Sequence, residues 1–333
     1  VASLRKLGFS KVFDTNFAAD LTIVEEANEL VERIENKGTL PMITSCSPGW
    51  IKFIEHFFPS SLPHLSTCKS PQQMFGAIAK TYYAEQAGID PRNIVVVSIM
   101  PCTAKKFEAR RPEMDDAFRY WKEKLHLSEK EHFYDVDYVL TTRELARMFK
   151  EVGIDFSNLP EEEFDSPLGV STGAGVIFGA TGGVMEAALR TAYEVITGSQ
   201  LTNVDFVAVR GMEGIKEAEI DLNGTRLKVA VAHTLSNART LLEQIENGTS
   251  PYTFIEVMTC PGGCLGGGGQ PIPTDEEIRL KRAESIYLED KNKPIRKSHE
   301  NPEIQYLYRH FLQKPLSEKA HHLLHTHYVE RGI

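Results

Sequence analysis

Short apolar runs bounded by glycine, proline and polar residues set the hydrophobic pattern of this chain. Residues 93–100 and 254–258 are almost continuously apolar over the length of a strand, which predicts buried parallel strands. Shorter apolar runs predict further strands at residues 11–14, 41–44, 136–140, 204–210 and 227–232.

Helices are predicted between these strands. In residues 22–36 apolar side chains recur three and four positions apart, as on one face of a helix. Ser70 and Pro71 suit the N-cap and first turn of a helix that continues to residue 86. Other helices are predicted at residues 142–151, 184–196, 234–246 and 274–297, and within residues 110–132.

The alternation of strands and helices predicts an α/β fold. With 333 residues, the chain has room for two lobes, each a mainly parallel twisted sheet flanked by helices. We assign residues 1–145 to the first lobe and residues 146–272 to the second. Residues 273–333 would form a C-terminal helical segment that wraps the lobes.

Composition excludes several classes of protein. A hydrophobic content of 41% is ordinary for a globular chain, and no apolar run reaches the ~18 residues of a membrane span. The net charge of −9 argues against a nucleic-acid partner. The five cysteines are odd in number and widely spaced, with no signal peptide. This pattern argues against a disulfide scaffold and predicts a cytoplasmic location.

Cysteines follow three of the predicted strands. Cys260 and Cys264 come after the strand at 254–258 and precede four glycines, while Cys46 and Cys102 follow two other strands. Ligands of open α/β sheets bind beyond the carboxyl ends of the strands. Thiolates beside bare backbone favour a bulky iron–sulfur group. The alternatives are a glycine loop with incidental buried cysteines, or a structural zinc site made by Cys102, Cys260 and Cys264.

Taken together, the three cysteine turns resemble the signatures of iron-only (FeFe) hydrogenases. They read TSCSPGW at residues 44–50, MPCTAKKFE at 100–108 and EVMTCPGGCLGGGGQP at 256–271. Further likeness in SPQQMFG, TTRELARM, GATGGVMEAALR and RKSHEN extends the resemblance over nearly the whole chain. Relative to that catalytic domain, the chain begins several dozen residues late and carries no ferredoxin-like accessory domain.

The resemblance implies an H-cluster in the cleft between the lobes. This cofactor is a four-iron cubane bridged to a two-iron site that carries CO, cyanide and an azadithiolate. Cys264 would be the bridging ligand, and Cys102 and Cys260 would hold other corners of the cubane. Lys105 would donate a hydrogen bond to a cyanide. The remaining pocket residues would be Met100, Pro101, Met258, Gln72, Phe178 and Glu108.

The first signature departs from the family pattern of two adjacent cysteines. Cys46 occupies the position that passes protons to the cofactor, and Ser47 occupies the position of a cubane ligand. Three outcomes follow from this departure. Ser47 binds iron through oxygen, Cys46 moves over and leaves the proton route, or the cubane is labile.

A proton route is also implied by the resemblance. Its residues would be Glu26, Glu29, Arg33, Ser66 and Cys46. The spacing of Glu26, Glu29 and Arg33 would by itself indicate a solvated helix face, which the resemblance overrules. Cys68 has no implied role beyond that of a small buried side chain. The histidines at positions 321, 322, 325 and 327 are expected to offset a helix dipole or face solvent.

The reaction implied is the reversible reduction of protons to dihydrogen. Ferredoxin or flavodoxin would carry the electrons, and maturation proteins would supply the two-iron site. The alternative is a hydrogenase-like sensor or iron–sulfur scaffold without turnover, which the serine at position 47 favours.

Overall fold

The structure is a computed structural model that describes residues 1–222 and 224–332. Short single turns join many of the elements. Within the described residues the α-helices are α1 (Ala2–Lys6), α2 (Thr15–Glu35), α3 (Pro48–Phe57), α4 (Pro71–Ile78), α5 (Ala84–Ala87), α6 (Lys105–Glu108), α7 (Asp116–Lys124), α8 (Thr142–Glu151), α9 (Gly173–Ile177), α10 (Gly183–Thr197), α11 (Leu235–Glu246), α12 (Glu276–Asn292), α13 (Pro302–Leu307) and α14 (Glu318–Leu324).

Within the described residues, six strands form two sheets. They are β1 (Met42–Ile43), β2 (Val97–Met100), β3 (Tyr138–Thr141), β4 (Ile215–Leu222), β5 (Thr225–His233) and β6 (Phe254–Met258). The larger sheet has the order β1-β6-β5-β4, with β4–β5 antiparallel and the other two pairs parallel. The smaller sheet is the parallel pair β2–β3.

Helices cover both faces of the larger sheet. Strand β6 is buried at every position, as expected for a strand with neighbours on both edges and helices on both faces. Helices α2 and α10 pack on one face through residues such as Ile23 and Leu189. On the opposite face, α3 and α11 pack through Ile54 and Leu241. The predicted α/β fold with mainly parallel sheets flanked by helices is confirmed.

The predicted domain boundaries stay a prediction. Strand β1 lies within residues 1–145, yet its only ladder partner among the described strands is β6 from residues 146–272. The C-terminal helices pack on both predicted lobes: α12 contacts α9, while α14 contacts α4 and α7.

Two predicted strands are wrong. Residues 204–210 contain a single helical turn at Val207–Val209 instead of a strand. The strand that pairs with β5 at this edge of the larger sheet is β4, which follows later in the chain. Residues 11–14 join no ladder, because the Val12 N–H donates to Asp165 Oδ2. Strand β4 was not predicted, although Ala218, Ile220 and Leu222 alternate with charged residues as in a half-exposed edge strand.

No helix in the described part of the chain combines the length and apolar character that a membrane crossing requires.

Candidate metal centre

Three cysteine-bearing turns meet at the carboxyl ends of β1 and β6 in the larger sheet and of β2 in the smaller sheet. Cys46 follows β1, Cys102 follows β2, and Cys260 and Cys264 follow β6. These four cysteines line one cavity of about 380 Å³, together with Met100, Met258 and Phe178. A larger groove of about 700 Å³ lies beside β2, but neither cysteine nor histidine lines it. The smaller cavity is therefore the place where the sequence predicts a metal centre.

The glycines after Cys264 let the turns approach each other closely. The Gly269 N–H donates to the Pro101 carbonyl at 2.9 Å. A Cβ on Gly267 would lie 2.1 Å from that same carbonyl oxygen, and one on Gly269 would lie 2.8 Å from the Cys102 nitrogen. The glycine loop thus packs directly against the Cys102 turn, which places thiols from distant parts of the sequence around one space.

The thiols of Cys260 and Cys264 are poorly suited to remain as free anions. Burial raises the pKa of Cys264 to about 12, and burial also raises the pKa of Cys260. A cationic iron–sulfur group would stabilise these thiolates and satisfy their preference for soft metal. Methionine side chains and bare glycine backbone provide polarisable walls without competing ligands. The residues present therefore fit an iron–sulfur cofactor.

Lys105 supplies a fixed positive charge at the cavity wall. Its Nζ donates to Glu108 Oε2 at 2.8 Å and to the Cys46 carbonyl at 3.0 Å. Glu108 also accepts hydrogen bonds from Ser70 at 2.8 Å and from Gln72 at 3.3 Å. Lys105 is buried, so this carboxylate both compensates its charge and holds its position. Pro101 and Gln72 line the cavity as well, whereas Glu108 supports it from behind.

The side chains of the predicted proton route also come together. Arg33 donates to Glu29 Oε1 at 2.6 Å, and Ser66 donates to Glu29 Oε2 at 2.8 Å. Glu26 is 1% exposed, and neither of its carboxylate oxygens has a hydrogen-bond partner in the described part of the chain. Burial, and next the charge of Glu29, raise the pKa of Glu26 to about 8. Burial and then the charge of Glu26 raise the pKa of Cys46 well above its usual range.

Comparison with known proteins agrees with this geometry. A sequence model described as "Iron only hydrogenase large subunit, C-terminal domain" matches residues 1–268. The chain belongs to the iron-only hydrogenase family. A second family description, "Iron hydrogenase small subunit", matches residues 276–331 of this hydrogenase-family chain.

Among curated relatives, the NADP-reducing hydrogenase subunit HndD of Solidesulfovibrio fructosivorans is 55% identical over 337 residues, which cover 99% of this chain and 55% of that protein. Iron hydrogenase 1 of Clostridium pasteurianum is 47% identical and covers 98% and 55%. The chain thus spans a little more than half the length of these relatives. A solved structure of a variant of the FeFe-hydrogenase HydA1 from Chlamydomonas reinhardtii is 45% identical, with a TM-score of 0.84, and covers 99% of this chain and 87% of that one.

A different kind of relative is the cytosolic iron-sulfur assembly component 3 of Rattus norvegicus. It is 34% identical over 335 residues, which cover 97% of this chain and 67% of that protein. Hydrogenases and an assembly component thus share the architecture of this chain.

Ser47 is the point at which this hydrogenase-family chain departs from its expected ligand set. Its Oγ lies 2.6 Å from Thr259 Oγ1 and accepts the Thr259 N–H at 3.2 Å. Ser47 lines the same cavity as the cysteines. Two hydroxyl groups therefore join the first cysteine turn to the third.

Several residues of the site were not found from the sequence. Cys68 is fully buried outside the cavity, and its thiol donates to Glu29 Oε2 at 3.5 Å. His325 is buried and does not face solvent, and it lies at the C-cap of α14, where the expected helix-dipole role would place it. It lies 3.0 Å from Glu25 and 2.8 Å from Thr67. Only a contact between distant segments reveals these roles, so no sequence pattern near either residue could have found them.

Proposed function

We propose that this chain is the catalytic domain of an FeFe hydrogenase that interconverts protons, electrons and dihydrogen. One observation carries the proposal: cysteines from three strand ends line a single apolar cavity beside a buried lysine. When bound there, an H-cluster with CO, cyanide and azadithiolate supplies the electron storage and the iron site for hydrogen chemistry. The chain's own residues hold that group, exclude water and move protons.

Three cysteines are proposed as ligands. Cys264 would bridge the two parts of the cofactor, and Cys102 and Cys260 would hold the cubane. Support comes from the contact of the Cys102 turn with the glycine loop, which holds the turns together through the backbone of the chain itself. Such preorganisation reduces the cost of assembling a multi-cysteine site.

The pocket residues are proposed to orient the two-iron part. Lys105 would donate to an anionic cyanide while Glu108 and the Cys46 carbonyl keep its ammonium in place. Met100, Met258, Phe178 and Pro101 would exclude water from the reacting side. Gln72 is fixed on both ends of its amide, since it donates to the Lys105 carbonyl and accepts from Ser98.

Protons are proposed to pass from solvent through Arg33, Glu29, Ser66 and Glu26 to the Cys46 thiol. The first three groups already form hydrogen bonds. Burial raises the pKa of Glu26 to about 8, so near neutral pH it can both accept and release a proton. Both of its carboxylate oxygens are buried without a hydrogen-bond partner among the described residues, so they are available to exchange a proton with a neighbouring group.

A second candidate is an iron–sulfur protein without hydrogen turnover. The likeness to cytosolic iron-sulfur assembly component 3 favours it, as does the serine at position 47. Ferredoxin or flavodoxin as the electron carrier, and maturation proteins as the source of the two-iron site, belong to the hydrogenase proposal. A cytoplasmic location also stays a prediction, because a periplasmic Fe hydrogenase large subunit of Nitratidesulfovibrio vulgaris is 51% identical over 274 residues.

The deciding experiment first asks which metal the chain holds. After reconstitution with iron and sulfide, Cys102→Ala and Cys260→Ala should lower the bound iron and acid-labile sulfide. Cys68→Ala is the matched control, since Cys68 is buried but lies outside the cavity. Zinc without sulfide in the purified chain would overturn the proposal.

The second stage tests turnover. Protein loaded with the complete cofactor should show infrared bands of iron-bound CO and cyanide and should evolve hydrogen from a reduced viologen. Bands without hydrogen evolution would favour the second candidate instead.

A further inference from the structure

The cubane of the proposed cofactor has four corners, and the cysteines of this chain do not fill them in an obvious way. Four-iron clusters are normally held by four thiolates. Cys102, Cys260 and Cys264 provide three of them within the cavity. Cys68 lies elsewhere, so the fourth corner falls to Cys46 or to Ser47. The question rests on the proposed function, because it assumes an iron–sulfur cluster in this cavity.

Cys46 is anchored beside Lys105 through its backbone. Its backbone carbonyl accepts from Lys105, which is itself tied to Glu108. The Cys46 side chain is itself buried and lines the cavity. Moving this side chain to a cubane corner would separate it from the relay. The Cys46 backbone would also be pulled against the hydrogen bond that anchors it.

Ser47 is held against the turn that carries Cys260. The residue before Cys260 is Thr259, and its N–H donates to Ser47 Oγ at 3.2 Å. The two hydroxyl oxygens are 2.6 Å apart, and the Thr259 hydroxyl has no other hydrogen-bond partner among the described residues. Thr259 can therefore direct both its N–H and its O–H at the serine oxygen.

Gly49 makes room for this arrangement. A Cβ at position 49 would lie 2.9 Å from Thr259 Cγ2 and 3.0 Å from Thr259 Oγ1. Any larger residue would push the threonine side chain away from Ser47. Three residues from two distant turns are thus fitted to one another around a single serine oxygen.

We propose that Ser47 binds the fourth cubane iron through its side-chain oxygen, with the Thr259 N–H and hydroxyl donating to that oxygen. The bond forms between iron and Oγ, the serine proton leaves to solvent, and no oxidation state changes. Two donors aimed at one oxygen stabilise the negative charge that iron binding requires, as in an oxyanion hole. Thr259 is a positioning residue in this arrangement, and Cys46 remains free for proton transfer.

The test uses protein reconstituted with iron and sulfide alone, so that no hydrogen activity is needed. For each variant the iron per chain, the midpoint potential of the cluster and its behaviour on mild oxidation are measured. Ser47→Cys should raise the midpoint potential, because a thiolate places less negative charge on iron than an alkoxide does. Ser47→Ala should leave one iron of the cluster without a protein ligand. Ferricyanide would then take one electron and release Fe²⁺, leaving a three-iron cluster with its own paramagnetic resonance signal.

Thr259 and Ser45 provide the matched variants. Thr259→Val removes the hydroxyl donor at nearly constant shape and should increase conversion to the three-iron form, whereas Thr259→Ser should restore the parent behaviour. Ser45→Ala should change neither the potential nor the conversion, because the Ser45 hydroxyl donates to the Cys68 carbonyl and does not line the cavity.

Two kinds of failure are distinguishable. If a four-iron cluster forms but Ser47→Ala matches the parent in potential and in oxidation, Ser47 is not a ligand and this proposal is wrong. Loss of the cluster from the Cys46→Ser variant would then identify Cys46 as the fourth ligand. If the parent chain takes up no iron with sulfide, the proposed function itself fails, and this inference fails with it.

Discussion

The hydroxyl of Thr67 lies 2.8 Å from Nδ1 of His325, although 258 residues separate them in the sequence. The other ring nitrogen lies 3.0 Å from Glu25, whose carboxylate also accepts from the Tyr308 hydroxyl and the Leu316 N–H. This histidine therefore connects the C-terminal segment to helix α2, close to Glu29 of the predicted proton route.

His325→Ala should lower the free energy of unfolding by about 2–3 kcal/mol, since it leaves Glu25 buried with one partner fewer and opens a gap in the packing. Urea unfolding followed by circular dichroism measures the change. His322→Ala is the matched control, because His322 is exposed in the same segment. Equal effects of the two substitutions would show that the buried contact contributes little to stability.

Local patterns predicted the elements that carry the site. Strand β6 and helix α8 have the predicted bounds, 254–258 and 142–151, because an apolar run and a capping box with Thr141 mark their ends within a few residues. The meeting of the Cys46 turn with the turn that carries Cys260 and Cys264 could also be predicted, since the parallel strands β1 and β6 present their carboxyl ends on one edge of the sheet. The Cys102 turn follows a strand of the smaller sheet, so this rule does not cover it.

Roles set by contacts between distant segments could not be predicted. The pairing of Ser47 with Thr259 joins residues 212 positions apart, and no spacing within either motif indicates it. The same is true of Cys68, which reads as a small buried side chain until Glu29 is found beside it. Residues 204–210 failed for the opposite reason, since a short apolar run suggested a strand where the chain forms a single helical turn at Val207–Val209.

Glu26 should make stability depend on pH. Its folded pKa of about 8 exceeds the ordinary value of 4.5 because the side chain is buried beside Glu29. Between these two values the folded chain keeps a proton that the unfolded chain has lost, so the free energy of unfolding should fall as the pH rises through that window. Glu26→Gln cannot titrate and should lack this part of the slope. Urea unfolding at a series of pH values measures it.

Glu32 supplies the control for that titration. It lies on the same helix but is exposed, so Glu32→Gln should keep the parent slope. A parent-like slope in Glu26→Gln would mean that Glu26 ionises in the folded state as it does in the unfolded chain. It would then be poorly suited to pass protons near neutral pH.

Lys105 should be costly to remove even before any cofactor is bound. Lys105→Met would leave Glu108 as a buried carboxylate with only the neutral donors Ser70 and Gln72, and should lower the free energy of unfolding by about 3 kcal/mol. Adding Glu108→Gln to that variant should recover part of the loss, because the unpaired charge is then gone. A double-mutant cycle of urea unfolding measures the coupling.

The neighbouring lysine gives a matched comparison. Lys106 pairs with Glu144 at 2.7 Å, but both side chains are largely exposed. An exposed pair contributes about 0–1 kcal/mol, so Lys106→Met should have a small effect. Similar losses for both lysines would contradict the view that Glu108 depends on Lys105 for its charge compensation.

Alanine substitutions at two adjacent glycines distinguish a requirement for close packing at one position from a general sensitivity of the loop to substitution. A Cβ on Gly267 would lie 2.1 Å from the Pro101 carbonyl oxygen, whereas one on Gly268 would come no closer than 3.3 Å to Thr103 Oγ1. Gly267 has φ near −60°, which any residue can adopt, so the steric contact is the whole reason for glycine there. Gly267→Ala should therefore lower both the melting temperature and the iron bound after reconstitution.

Gly268→Ala should remain close to the parent in both measurements, since Thr103 is exposed and can move by the few tenths of an ångström required. The contrast depends on the Cys102 turn resting on the glycine loop, so it tests the convergence of the cysteines directly. If Gly267→Ala bound as much iron as Gly268→Ala, the loop could move away from Pro101 without loss. The close approach of these two turns would then not be what shapes the metal centre.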